Sequence, residues 1–184
     1  LMVDNKNKQS KEFLRSINMR RQVRTIIDWP GGERDGHKIT PVDAGANAFY
    51  YRTLVLMGRI ARALGKTAEA ATWEKDAKRV YDSFQRVFFD SGKGIYRDGE
   101  GVGHSSIHAN MYPLVFELVP PEHVKTVTDF VVSRGMACSV YGAQHLMDGL
   151  YKARAEDHAL KLISSTEKRS WYNMIREGST ISME

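Results

Sequence analysis

The chain has 184 residues, of which 42% are hydrophobic and 27% charged, proportions typical of one globular domain with a sizeable core. No apolar run approaches the roughly 20 residues that cross a bilayer, and the single cysteine, Cys138, has no internal disulfide partner and is expected in the core. The net charge of +5 comes from dispersed lysines and arginines without a stacking platform or known motif, which disfavours nucleic acid as a partner.

Residues 43–64 predict a helix that is buried on most of its sides, because its apolar residues fall on two neighbouring faces. Asp43 is suited to cap its start and Gly65 its end. The next helix, about 67–88, has one apolar stripe opposite a charged side and is predicted to lie at the surface. The stripe consists of Ala70, Trp73, Ala77, Val80, Phe84 and Val87.

The same alternation of a broadly apolar helix and a one-faced helix then recurs. An apolar segment at 105–118, in which Pro113 should kink the helix or shift its start, precedes a one-faced helix that opens at Pro120-Pro121. Residues 140–153 are again apolar on several faces, and residues 155–165 are shorter and amphipathic. The chain therefore contains three predicted pairs of an inner and an outer helix.

These pairs predict an all-α fold of alternating inner and outer helical hairpins, either an α/α toroid or a helical solenoid. No period of about 34 residues recurs, which argues against a regular solenoid. The β-like stretch at 93–101 predicts a short hairpin, and residues 180–184 are suited to begin a further inner helix. One domain is expected, divided into 1–42, 43–89, 105–133, 139–165 and 166–184.

The connections between the predicted helices differ in length. Those from an inner to an outer helix are tight, whereas those from an outer to an inner helix are long and carry many polar side chains. The long connections are 28–42, 90–104, 134–139 and 166–179. Because all inner helices of a toroid run in the same direction, the long loops should gather at one end, where functional residues tend to lie.

Three patches in these loops combine carboxylates, tryptophans, histidines and glycines. They are 28–36 with His37, 98–106 with His108 and Asn110, and Trp171 with 177–184. A sugar ring offers apolar faces to tryptophan and hydroxyls to polar side chains. Cleavage of a glycosidic bond needs two carboxyl groups, one protonated and one ionised. The patches therefore favour a carbohydrate site.

Each patch also has a purely structural interpretation, which the pattern alone leaves open. Pro30-Gly31-Gly32 is a turn sequence, and Arg34 with Asp35 can form an ion pair within the loop. His104 and His108 have the spacing of a metal pair on a helix, but no zinc-binding context surrounds them. No metal and no cofactor are therefore expected.

In this order and spacing, the patches resemble the catalytic domain of the α-L-rhamnosidases of glycoside hydrolase family 78. The resemblance covers nearly the whole chain and rests on the ordered set of segments rather than on any one of them. The segments are Asp28-Trp29-Pro30, Arg34-Asp35-Gly36, Leu64-Gly65, 104–111, Val119-Pro120, 140–144, Ser170-Trp171 and Glu177-Gly178-Ser179-Thr180 ahead of Glu184.

The resemblance implies an (α/α)6 barrel, of which this chain would be the second half, and an inverting mechanism with acid and base roughly 6.5–9.5 Å apart. The family's base lies in a Gly-Ala-Thr-Thr-x-x-Glu-like motif that maps onto Glu184, with Ser179 and Ile181 as departures. The tryptophan that lines the family's rhamnose pocket maps onto Trp29. Further substrate-binding residues are expected at Asp28, Arg34, Asp35, His104, His108 and Trp171.

The family's general acid lies in an Arg-x-Glu-Arg-x-x-Trp motif that this chain lacks, since Glu33-Arg34 has no tryptophan at the required spacing. The expected function is the release of terminal α-L-rhamnose from plant-type glycosides or polysaccharides. Without the general acid, these residues are expected to be inactive on their own.

Implied partners are the carbohydrate, the remainder of the barrel and flanking β-sandwich domains, with neither nucleic acid nor a membrane. Alternatives are a trehalase-like or glucoamylase-like barrel enzyme, and a non-catalytic helical scaffold or sugar-binding module.

Overall fold

The computed structural model of the chain describes residues 1–3, 9–20 and 25–182. Its helices are α1 (Lys11–Ser16), α2 (Ala44–Ala63), α3 (Thr67–Phe88), α4 (Ile107–Val115), α5 (Val124–Arg134), α6 (Val140–Lys152), α7 (Glu156–Ser164) and α8 (Trp171–Arg176). Strands β1 (Phe89–Asp90) and β2 (Ile95–Tyr96) pair antiparallel. The predicted all-α fold with one short hairpin is confirmed.

The helices pack in hairpins that form two layers. Helix α3 lies against α2, α5 against α4, and α7 against α6. Helix α4 also contacts both α2 and α6, and each of its residues is buried. The inner layer is therefore α2, α4 and α6, with α4 in the middle, and the amphipathic helices cover it from outside, as the alternation of the sequence predicts.

Side-chain caps fix the start of each inner helix. The Asp43 carboxylate accepts a hydrogen bond of 3.1 Å from a backbone N–H in the first turn of α2. The hydroxyls of Ser106 and Ser139 do the same for α4 and α6, at 3.2 and 3.0 Å. Gly65 has a φ of +71° just beyond the end of α2. Both predicted caps of α2 are therefore confirmed, and three long loops are anchored where they enter the inner layer.

The hairpin is held against α4 by one buried amide. Asn110 donates to the Tyr96 carbonyl oxygen at 3.0 Å, and its own oxygen accepts the Tyr96 N–H at 2.9 Å. The hairpin spans 89–96 rather than the predicted 93–101, because the chain becomes extended at Phe89, directly after α3 ends. Residues 97–101 continue as a loop, in which Gly99 bridges to Asp43 at the start of α2.

The second apolar face of α2 is exposed, so the prediction of burial on most sides is wrong for the described structure. Phe49, Leu56 and Ile60 are 40%, 40% and 53% exposed. Helix α3 covers the opposite face, where Leu54 and Ala61 are buried. The sequence predicted burial because apolar side chains occupy this face. Their presence does not show whether another element covers the face.

The two shortest helices, α1 and α8, were not predicted, because six residues are too few to display a helical period. Residues 180–182 are not helical, so the predicted start of a further inner helix is wrong there, and residues 183–184 lie outside the described residues. Among the described helices, none combines the length and the apolar character needed to cross a membrane.

Candidate functional site

The long loop 28–42 contacts each of the other three long connections. Its side chains form hydrogen bonds or ion pairs with the loop after β2, the start of α6, the end of α5 and the segment before α8. The contacts are His37–Asp98, Asp28–Ser139, Asp35–Arg134 and Glu33–Arg169. The loops 28–42, 90–104, 134–139 and 166–179 thus meet at the same end of the helical layers.

Asp28 is the buried hub of this arrangement. Its carboxylate accepts hydrogen bonds from His108 Nε2 at 2.8 Å, from the Ser139 N–H at 2.9 Å and from the Trp29 N–H at 2.8 Å, and it also accepts the Ser139 hydroxyl. Burial alone would raise the pKa of Asp28, but the hydrogen bonds from His108 and Ser139 outweigh it and lower the pKa. The carboxylate is therefore ionised, and its lone pairs are occupied by protein donors.

Gly142 is required by the close approach of α6 to this hub. A Cβ at this position would lie 2.7 Å from Asp28 Oδ2 and 3.0 Å from the Cβ of Cys138. Cys138 is buried, as predicted, and burial raises the pKa of its thiol to about 12. The thiol is therefore a packing group at neutral pH.

The loop that follows Asp28 is fixed by Arg34 and Asp35. Arg34 Nε donates to the Asp28 carbonyl oxygen at 2.7 Å. The Asp35 carboxylate accepts a hydrogen bond of 2.7 Å from the N–H of Ile107 and so caps α4. It also pairs with Arg134, whose Nε lies 3.0 Å from Asp35 Oδ2. These two predicted substrate-binding residues thus hold the loop that carries Trp29.

A second buried cluster surrounds His37. Its Nε2 lies 2.9 Å from Asp43 Oδ2, and its Nδ1 lies 2.8 Å from Ser106 Oγ and 3.4 Å from Asp98 Oδ1. Asp98 Oδ2 also forms a hydrogen bond of 2.6 Å with His104 Nδ1. Burial alone would lower the pKa of His37, but the hydrogen bonds and charges of Asp43 and Asp98 outweigh it and raise the pKa to about 9. The imidazolium joins the site loop to the starts of α2 and α4.

We expect this cluster to make the protein less stable as the pH becomes alkaline. Because the folded pKa of His37 lies above its unfolded value of 6.5, the stabilisation is complete below pH 6.5 and is lost as pH rises to about 9, at up to about 1.4 kcal/mol per pH unit. Urea unfolding of the protein and of His37→Gln between pH 6 and 9.5 measures the difference. Parallel pH profiles for the two proteins would contradict this assignment.

An open cavity of about 290 Å³ lies on the inner side of the Asp28 hub, next to Trp29. Trp29 and Tyr141 are 54% and 61% exposed at its rim. The lining residues are Ile26, Ile27, Asp28, Trp29, Phe49, Tyr112, Tyr141, Gly142 and His145. We call this space the Trp29 cavity. Its walls are mostly aromatic and carry few polar groups, a lining that suits a ring with an apolar face.

Two residues of the Trp29 cavity, Tyr141 and His145, were not singled out from the sequence as site residues. They lie four residues apart at the start of α6 and so share one face of that helix. This spacing directly after a long loop is the available sequence signal. It is weak, because core helices commonly place aromatic residues in the same pattern.

Trp171 lies in a different cavity, of about 410 Å³, on the other side of the first turn of α6. Met136, Met174 and the buried Cys138 line it with Trp171, and the Glu33–Arg169 ion pair of 2.9 Å stands at its edge. The structure therefore does not bring Trp171 and Trp29 into one pocket.

The remaining predicted site residues have distinct surroundings. His104 is partly exposed and precedes α4, whereas His108 lies within α4 and is fully buried, so the two do not form a metal pair on one helix. Within residues 1–3, 9–20 and 25–182, no group of three or more His, Cys, Asp or Glu side chains is arranged so that it could hold a metal ion. Glu184, the predicted catalytic base, lies outside the described residues.

Residues 2–184 match the family model described as the bacterial alpha-L-rhamnosidase 6 hairpin glycosidase domain. A solved α-L-rhamnosidase from Dictyoglumus thermophilum is similar with 21% identity and a TM-score of 0.63, over 72% of this chain and 15% of that chain. A native α-L-rhamnosidase from Aspergillus terreus is similar with 18% identity and a TM-score of 0.63, over 84% of this chain and 17% of that chain. No curated protein matches significantly. The chain thus spans less than a fifth of these neighbours, and at such identities the likeness concerns the fold.

Proposed function

Because the chain belongs to the family of bacterial α-L-rhamnosidase six-hairpin glycosidase domains, we propose that it forms part of the catalytic domain of an inverting glycosidase that releases terminal α-L-rhamnose. The observation that carries the proposal is the Trp29 cavity at the end where the long loops meet. The exposed indole of Trp29 would stack on the apolar face of the sugar and its methyl group. The aromatic residues below it would exclude water from that face.

The proposed chemistry needs a base that activates water and an acid that protonates the leaving oxygen. We assign the base to Glu184 on the family resemblance. We assign the acid to no residue of this chain, because the chain contains no Arg-x-Glu-Arg-x-x-Trp segment. Asp28 is unsuited to either role, since its carboxylate is buried and fully hydrogen-bonded. Its proposed role is to hold Trp29 in place.

The exposed face of α2 fits the same proposal. Its apolar side chains continue from Phe49, which lines the Trp29 cavity, to Ile60 and Leu64 at the far end of the helix. In a complete barrel, this face would pack against the remaining inner helices. The partners that we propose are therefore the rest of the barrel and the carbohydrate substrate.

A panel of chromogenic glycosides tests the proposal in the intact protein that contains this chain. We expect kcat/KM for 4-nitrophenyl α-L-rhamnopyranoside to exceed that for the α-D-glucoside by at least about 100-fold, because the D sugar places its hydroxyls differently and carries an extra hydroxyl at C6, so polar groups are left unpaired. Hydrolysis of glucosides alone would favour a trehalase-like or glucoamylase-like enzyme. Rhamnose binding without turnover would favour a sugar-binding module.

A further inference from the structure

His145 is a partly buried polar residue of the Trp29 cavity whose ring forms no hydrogen bond within the described residues. Its ring meets the rings of Phe49, Tyr112 and Phe116 edge-on, with centroid separations of 5.4, 5.5 and 5.6 Å. Edge-to-face contacts at these distances are favourable and restrict the ring plane. The three aromatic rings therefore restrict the plane of the imidazole.

Neither ring nitrogen of His145 hydrogen-bonds to any residue in the described part of the chain. Burial lowers the pKa of His145, an effect that the charges of Asp148 and Asp28 only partly oppose. The ring is thus neutral at pH 7, with one nitrogen that donates and one that accepts. A sugar hydroxyl can both donate and accept, so a neutral imidazole in this position complements it.

The buried polar side chains that line the cavity already have partners. The Asp28 carboxylate is bound by His108 and Ser139, and the Tyr112 hydroxyl donates to the Ile27 carbonyl oxygen at 2.8 Å. The ring of His145 is partly exposed, so a bound ligand can reach its nitrogens. The cavity therefore presents His145 as a ready hydrogen-bonding group among apolar walls.

We infer that His145 contacts a hydroxyl group of the sugar bound in the Trp29 cavity and is a specificity-determining residue of the site. The inference rests on the proposed function. Trp29 provides the surface on which the ring stacks, and His145 selects sugars that place a hydroxyl within its reach. A sugar without that hydroxyl leaves the imidazole unpaired and binds more weakly.

The test compares H145F and H145Q with the unaltered intact protein. Phenylalanine keeps the aromatic contacts but removes both nitrogens, whereas glutamine keeps a donor and an acceptor without the ring. We expect H145F to lower kcat/KM for 4-nitrophenyl α-L-rhamnopyranoside, and the affinity for L-rhamnose, by about 10-fold or more, and H145Q to recover most of the loss. Tyr151→Phe, at an exposed position on the same helix, serves as the control and should change neither value.

Monodeoxy rhamnosides separate a direct contact from a packing effect. For the one analogue that lacks the hydroxyl contacted by His145, H145F should cost almost no further activity, whereas a packing defect would lower activity on all analogues equally. If H145F does not fold, H145L takes its place in the same comparison. Equal rates and affinities for H145F and the unaltered protein would overturn the inference. An unaltered protein that neither cleaves rhamnosides nor binds rhamnose would instead refute the proposed function itself.

Discussion

Replacement of Asp28 by alanine is expected to lower the free energy of unfolding by about 3–5 kcal/mol, the range for removal of one partner from a buried charged network. The substitution leaves the Ser139 N–H and His108 Nε2 buried without an acceptor. Within the described part of the chain, His108 Nδ1 is buried without a partner, so the ring would keep no hydrogen bond there. Denaturant unfolding followed by circular dichroism measures the loss.

Two substitutions control for this experiment. Asp28→Asn keeps the size of the side chain but directs an NH2 group at one donor, so an intermediate loss of about 1–3 kcal/mol is expected. Asp129→Asn removes an exposed carboxylate that pairs with Lys125 at 2.6 Å, and its effect should stay below about 1 kcal/mol. Equal free energies of unfolding for Asp28→Ala and Asp129→Asn would show that the Asp28 carboxylate stabilises the fold no more than an exposed one does.

Replacement of Glu184 by glutamine is expected to lower kcat for rhamnoside hydrolysis in the intact protein by about 10²–10⁴-fold, because the amide cannot take a proton from the attacking water. The affinity for L-rhamnose should change little, since the base acts on water rather than on the sugar ring. Steady-state kinetics and calorimetry measure the two quantities separately.

The matched control for Glu184 is Glu33→Gln. Glu33 lies at the cavity of Trp171 and pairs with Arg169, so its replacement should leave kcat within a few-fold of the original value. A large loss of kcat in Glu33→Gln with little loss in Glu184→Gln would contradict the assignment of the base and would make Glu33 a catalytic carboxylate.

The longer helices could be predicted from the sequence nearly to the residue. Helix α2 was predicted at 43–64 and observed at 44–63, because Asp43 and Gly65 are local signals that act within one turn. Helix α3 was predicted and observed at 67–88, owing to its single apolar stripe. The exposed face of α2 could not be predicted, since the apolar pattern is the same whether or not another element covers it.

The order of the long loops in the sequence was enough to locate the candidate site. It was not enough to predict the role of each residue in the site. Asp28 and Trp29 are neighbours in sequence, yet one is buried and the other exposed. The difference arises from His108 and Ser139, which lie 80 and 111 residues away in the chain. No local pattern indicates contacts at such separations. His145 was not predicted as a site residue because its contacts, with Phe49 and Tyr112, are also distant in sequence.

A crystal structure of the intact protein with bound L-rhamnose tests directly whether the Trp29 cavity is the sugar-binding site. We expect one sugar in the Trp29 cavity, with its apolar face on the indole of Trp29 and a hydroxyl group within hydrogen-bonding distance of His145. Rhamnose bound only elsewhere, for example against Trp171, with the Trp29 cavity empty, would contradict it.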